Sequence, residues 1–296
     1  MLSALELETW QRARSRARRI QGALSLAVLK AFDTIRANVS DTDLEEIIRT
    51  HALDRLVADV AAGGSVTVLI DRAFLGVSVR IRQAVESAFT TAVRDLPDAG
   101  RVDGVVGVAF DYLSPHVVDG IRQLDTKVVE TLAADTRDVV KAFVENGLRD
   151  GDSASTIARE LRQVIGLSPT QLENTIKYEA KLEADASLSD AAVERMVTAY
   201  TRRAVALNAE TVSRTASLDA MKLGQDLAWR DAMDRGIVEP GSLNKTWKGV
   251  MDDRERDEHV AMEGETVPFE APYSNGQMIP GEDEYNCRCI SMVTVQ

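Results

Sequence analysis

Three features of the sequence predict a mainly α fold, an elongated helical body closed by a small α+β C-terminal module. Apolar residues recur at helical spacing through most of the chain up to Gly241. Aromatic residues make up only 5% of the 296 positions, too few for an aromatic-rich sandwich or barrel. From Lys245 to Gln296 the pattern changes: Pro268, Pro272 and Pro280, with Gly264, Gly276 and Gly281, interrupt any long helix. Three regions follow: 1–110, an N-terminal helical region; 111–241, a helical body; and 242–296, the C-terminal module.

The first element is a helix over about 4–37. Ile20, Leu24, Val28, Phe32 and Ile35 form its apolar stripe, and Arg12, Arg14, Arg16, Arg18 and Arg19 make its early part basic. That basic face reads as a solvated surface or as a contact to an acidic partner or DNA. Ser40 or Asp41 caps a second helix, 44–62, which Gly63-Gly64-Ser65 ends. A third helix is expected over 66–96, although its β-branched opening, VTVLI, also fits a short strand. Residues 97–107 read as a loop, and Pro115 as a first-turn residue. Val129, Leu132, Val139, Val140 and Phe143 predict a helical face over 126–146, with Gly147 as its C-cap. Asp152 or Ser153 caps the next helix, to about Ile165. Ser168-Pro169 opens another, to about Ala184, and Ser189 or Asp190 opens a long one ending near Arg235.

In the module, 253–262 reads as a short helix and 287–295 as a strand, by its period-two alternation. Between Asp252 and Gln296 the acidic residues number 11, against Arg254, Arg256 and Arg288. The net charge of −12 and a pI of about 4.9 disfavour nucleic-acid binding by the surface as a whole. No apolar run approaches the roughly 20 residues that span a bilayer. The N-terminus lacks a signal-peptide layout, so no membrane association is expected. Cys287 and Cys289, one residue apart, are too close for an unstrained mutual disulfide, which predicts a reduced, cytosolic setting.

On a strand, positions 287 and 289 share a face, so both thiols could reach one ion, with His259 as a third ligand. Structural zinc takes four Cys or His ligands, with paired cysteines two to four residues apart. Here the spacing is one, and an acidic group or water would have to complete the set. The alternative is two buried thiols packed as small apolar groups. Asp253, Arg256 and His259 are spaced for one helix face. An Asp253–Arg256 pair is expected there, in preference to a catalytic His259. P-loop, dinucleotide-binding and H-E-x-x-H signatures are absent.

The tail carries Trp247, Asp252, Arg254, Arg256, His259, Gly264, Phe269 and Pro280, then Asn286-Cys287-Arg288-Cys289. That order and spacing resemble the phage head morphogenesis proteins, or phage Mu F-like minor head proteins. Gly147–Ile176 and Ser213–Gly224 add weaker matches, extending the similarity to roughly 110–296. Glu263 stands where the family often has Asp. The resemblance implies a minor capsid protein of a tailed phage or prophage, not an enzyme. It would associate with the portal protein, and with capsid or scaffold proteins, and influence DNA packaging or ejection. Its expected place is the virion head interior or portal vertex, and the host cytoplasm during assembly. Trp247 and Phe269 would anchor the module, and His259, Cys287 and Cys289 would close it by zinc or by packing. Gly264, Pro280, Asn286 and Arg288 complete the motif. The competing expectation is a metal-dependent hydrolase or nuclease using His259, Cys287 and Cys289. Some relatives carry a toxin-like enzyme domain, but no catalytic constellation for one is visible.

Overall fold

The structure, a computed structural model, describes residues 4–39, 46, 65–94, 115–282 and 284–295. The expected 44–62 helix and 97–107 loop lie outside these residues. Among the described residues there are seven helices and three strands, so the protein is mainly α with a small α+β module at its C-terminal end. The helices are α1 (Ala4–Asn38), α2 (Ser65–Arg94), α3 (Pro115–Asp150), α4 (Ala154–Val164), α5 (Pro169–Glu183), α6 (Asp190–Asp234) and α7 (Asp257–Met262). The strands are β1 (Leu243–Lys248), β2 (Thr266–Pro268) and β3 (Ile290–Val295).

The chain divides into two compact units. One comprises 25–83 and 126–210; the other comprises 1–24, 84–125 and 211–296. In the first, Val28, Phe32 and Ile35 of α1 are buried, as are Val77 and Ile81 of α2 and Leu132 of α3. VTVLI is helical, because Phe74, Val77, Ile81 and Val85 continue its apolar stripe at intervals of three and four. On α3 the stripe runs through Val128, Leu132, Val139 and Val140, while Val129 and Phe143 are only half-buried.

Gly147 does not end α3. It lies inside the helix, where a Cβ would stand 2.8 Å from Ile157 Cγ1, so the missing side chain admits α4. The helix ends instead at Gly151, whose φ of +83° lets the Asp152 amide donate back to the Gly147 carbonyl at 2.9 Å. Ser153 then caps α4 by accepting from the Thr156 amide. Ser168 and Gln171 form a reciprocal capping box at the start of α5, with Pro169 in the first turn. Asn208 donates to the Gly166 carbonyl at 3.0 Å, satisfying the turn between α4 and α5.

One carboxylate in this unit sits uneasily. Burial, then repulsion from Glu183, Glu160 and Asp152, pushes Glu179 above the usual glutamate range. A raised folded value means that the protonated form favours folding: the benefit is full at acid pH and is lost as pH rises through the folded value. Glu179→Gln is therefore expected to melt higher than wild type at pH 7, with the gap closing as pH falls below the ordinary carboxylate range. Thermal denaturation across pH checks this, and a pH-independent gap, or none, would contradict it.

In the other unit, the second half of α6 meets the module. Trp229 and Ala232 of α6 form a buried cluster with Val238, Leu243 and Phe269. The sheet order is β2-β1-β3, antiparallel throughout, with Thr246 opposite Thr266 and Trp247 opposite Ser291. Leu243, Lys245 and Trp247 form the buried face of β1. A lysine on that face is tolerated because its Nζ donates to the Met278 carbonyl at 2.8 Å. It also lies 5.0 Å from the Tyr273 ring centroid.

Candidate functional site

The rare side chains of the tail converge on the second buried cluster of the module. Trp247, Met262, Tyr273, Cys287 and Cys289 form its core. Trp247 is fully buried and meets the rings of His259 and Tyr273 edge-on, at 5.4 and 5.1 Å. Phe269, also buried, belongs to the neighbouring cluster with Trp229, under the Arg230 guanidinium.

His259 is carried by the short helix α7, which starts at Asp257 rather than Asp253. Residues 252–255 turn ahead of it, and that turn re-aims the charges. Asp253 precedes the helix and does not share a face with Arg256. Arg256 instead reaches across the module to Glu284 and to the Tyr285 carbonyl. Arg288 pairs with Asp252, both nitrogens at 2.5 Å, and holds that carboxyl well below its usual range, the hydrogen bonds being the main cause.

The strand expected over 287–295 begins only at Ile290. Cys287 and Cys289 lie in the segment leading into it, both buried and both free thiols. Asn286 just before them has φ +58°, a turn conformation that Asn tolerates better than most residues, and its amide donates to Thr215 on α6. This tie and Lys222 hold the segment. The Lys222 ammonium is buried and donates to the carbonyls of Pro280 and Cys287, each at 2.9 Å. Gly264 sits in the turn after α7, and its amide donates to the Trp247 carbonyl at 2.9 Å.

His259, Cys287 and Cys289 are brought together, their candidate ligand atoms within 4.8 Å of one another. Nδ1 of His259 is 3.9 Å from the Cys287 sulfur and 3.5 Å from that of Cys289. The two thiols titrate as a pair. A hydrogen bond from Cys289 pulls Cys287 down, against its burial, and the same bond pushes Cys289 up.

Sequence reasoning missed four residues here: Glu255, Glu284, Lys222 and Gly281. Glu255 Oε1 lies 3.2 Å from the Cys289 sulfur and 3.5 Å from His259 Nδ1. Its one legible signal was its place four residues before His259, lost among the tail's many acidic residues. Glu284 Oε2 stands 2.9 Å from His259 Nε2, outside hydrogen-bond geometry, so that Nε2 is buried without a hydrogen-bond partner. Lys222 lies 65 residues from Cys287 in sequence, and no local pattern links the two.

No curated protein and no solved structure matches the chain. A family model, described as Phage Mu protein F like protein, matches residues 138–292. That stretch covers more than half of the sequence and contains every residue of the convergent cluster. The chain thus belongs to the family of phage Mu protein F like proteins.

Proposed function

We propose that this protein is a minor capsid protein of a tailed phage or prophage that binds the portal protein at one capsid vertex during head assembly. Membership of the phage Mu F-like family carries the reading, since that family suggests a head morphogenesis protein. Its place would be the head interior or the portal vertex, reached from the host cytoplasm during assembly. Among the described residues, no helix is long and apolar enough to cross a membrane. The burial of His259 supports assembly over the competing hydrolase or nuclease reading, because a general base must touch substrate or water.

The basic start of α1 would supply an electrostatic contact to an acidic partner or packaged DNA. Of Arg12, Arg14, Arg16, Arg18 and Arg19, only the Arg18 side chain falls among those described, and it is exposed. Co-expression with the portal protein, then pull-down and size exclusion, tests the proposal. Co-elution that weakens with salt is expected, and neutralising the five arginines should flatten that salt dependence. Absence of co-elution, with and without scaffold protein, would defeat the reading.

A further inference from the structure

We propose that the module is closed by one structural zinc-class divalent ion, held by His259 Nδ1, Cys287 Sγ, Cys289 Sγ and Glu255 Oε1. The case rests first on distances. Zinc bonds of about 2.3 Å to sulfur and about 2.0–2.1 Å to nitrogen or oxygen, arranged as a tetrahedron, separate neighbouring ligand atoms by about 3.3–3.8 Å. The four separations that bear on this are 3.5 Å (Nδ1 to Cys289), 3.9 Å (Nδ1 to Cys287), 3.2 Å (Glu255 to Cys289) and 3.5 Å (Glu255 to Nδ1). They match four of the six edges of such a tetrahedron to within about 0.3 Å, and the candidate ligand atoms of His259, Cys287 and Cys289 all lie within 4.8 Å of one another. Side chains packing only as small apolar groups have no reason to bring a carboxylate oxygen and an imidazole nitrogen to the same point.

The outer atoms argue the same way. Each polar ligand is held from behind and leaves its inner atom aimed at the centre. Glu255 Oε2 accepts from the Val250 amide at 3.1 Å and lies 3.7 Å from Arg288, so Oε1 is the oxygen presented inward. Glu284 stands behind His259 on the Nε2 side, the position from which a carboxylate orients a metal-bound imidazole. The Nε2 atom that lacks a hydrogen bond would gain one by a small rotation of either group. Lys222 fixes the Cys287 carbonyl and places a positive charge beside a ligand set that is net anionic once both thiols have released their protons.

The chemistry selects the ion. Two thiolates and an imidazole favour zinc over magnesium or calcium, which take all-oxygen shells. Four protein ligands, with the side chains of His259 and Glu255 2% and 4% exposed, leave no open position for substrate, so the role is structural.

The test uses the full chain, purified under reducing conditions. Elemental analysis should find about one zinc per chain. A chelator should lower the melting temperature and expose both thiols to a thiol reagent, and added Zn2+ should reverse both effects. Replacement by Co2+ should give the intense visible bands of tetrahedral cobalt together with sulfur-to-cobalt charge transfer in the near ultraviolet. Cys289→Ser should reduce the charge-transfer intensity. Glu255→Gln should alter the visible bands while keeping both sulfur contributions. Glu284→Gln, which touches no metal, should leave the cobalt spectrum unchanged and weaken affinity about 10- to 100-fold. Because the chelation and cobalt experiments use the wild-type protein, a variant that fails to fold does not rescue the idea. Wild-type protein that carries no zinc, takes none up when supplied, and melts identically with chelator would overturn the proposal. A cobalt spectrum without sulfur charge transfer would overturn it as well.

Discussion

Trp247→Ala is expected to cost about 3–5 kcal/mol and to unfold the C-terminal module before the helices that precede it. Trp247 is fully buried and is the largest such side chain among the described residues. Its ring fills the space between His259 and Tyr273, and its neighbours are tied to backbone that a truncation cannot drag inward. The Trp247 amide donates to the Glu265 carbonyl at 2.8 Å, and its carbonyl accepts from Gly264. Three antiparallel strands and one short helix offer little room to collapse around so large a cavity. Trp247→Phe should cost clearly less, since Phe keeps an edge-on ring and the indole nitrogen has no hydrogen-bond partner to lose. Urea denaturation followed by far-ultraviolet circular dichroism and by the remaining tryptophans measures the difference. An alanine variant within about 1 kcal/mol of wild type would show that the module does not depend on this ring.

Gly281→Ala is expected to be nearly as damaging, by adding one methyl group. A Cβ at this position would stand 2.2 Å from the Cys287 Cβ and 2.4 Å from its sulfur. The obstacle is the base of a side chain, pinned through the Cys287 carbonyl by Lys222, so it cannot swing aside. Gly281 also has φ +72°, which costs alanine about 1–2 kcal/mol. Overpacking adds about 1–3 kcal/mol, and the total is about 2–5 kcal/mol. Gly276→Ala is the control. It shares a positive φ, +86°, but a Cβ there meets nothing within 4 Å, so it isolates the backbone share. The variant at 281 should shift the denaturation midpoint well beyond the one at 276 and make Cys287 reactive to a thiol reagent in the native state. Equal shifts for the two variants would mean that the segment moves freely to accept the methyl.

The residues themselves show why the helices and the last strand were legible and β1 was not. Every predicted apolar position of α1 from Ile20 to Ile35 is buried, and the caps at Ser153 and Ser168 sit where their side chains suggested. Helical spacing and capping are local, within about four residues. β1 escaped because its sequence, LNKTWK, puts a lysine on the buried face, breaking the apolar alternation that marks a strand. That lysine is acceptable only because the Met278 carbonyl and the Tyr273 and Phe269 rings come from elsewhere in the chain. The β3 strand started later than its alternation implied, because Asn286 turns and Thr215 and Lys222 hold the cysteine segment in place.

By itself the sequence determined the helical class, most helix ends, and the motif of Trp247, His259 and the two cysteines from which the family resemblance was read. Such features depend on near neighbours and on residue identity, which a linear string contains in full. Tertiary structure alone decided which charges meet: Arg256 with Glu284 rather than Asp253, Arg288 with Asp252, and Glu255 beside His259 and Cys289. It also decided that Gly147 makes room for α4 while Gly151 ends α3. Eleven acidic side chains in one short tail are chemically interchangeable in a sequence. Only folding, by bringing segments about 30 residues apart within about 4 Å, makes Glu255 a neighbour of the Cys289 thiol while Glu284 meets Arg256, Asp252 meets Arg288 and Glu263 accepts from the Gly249 amide.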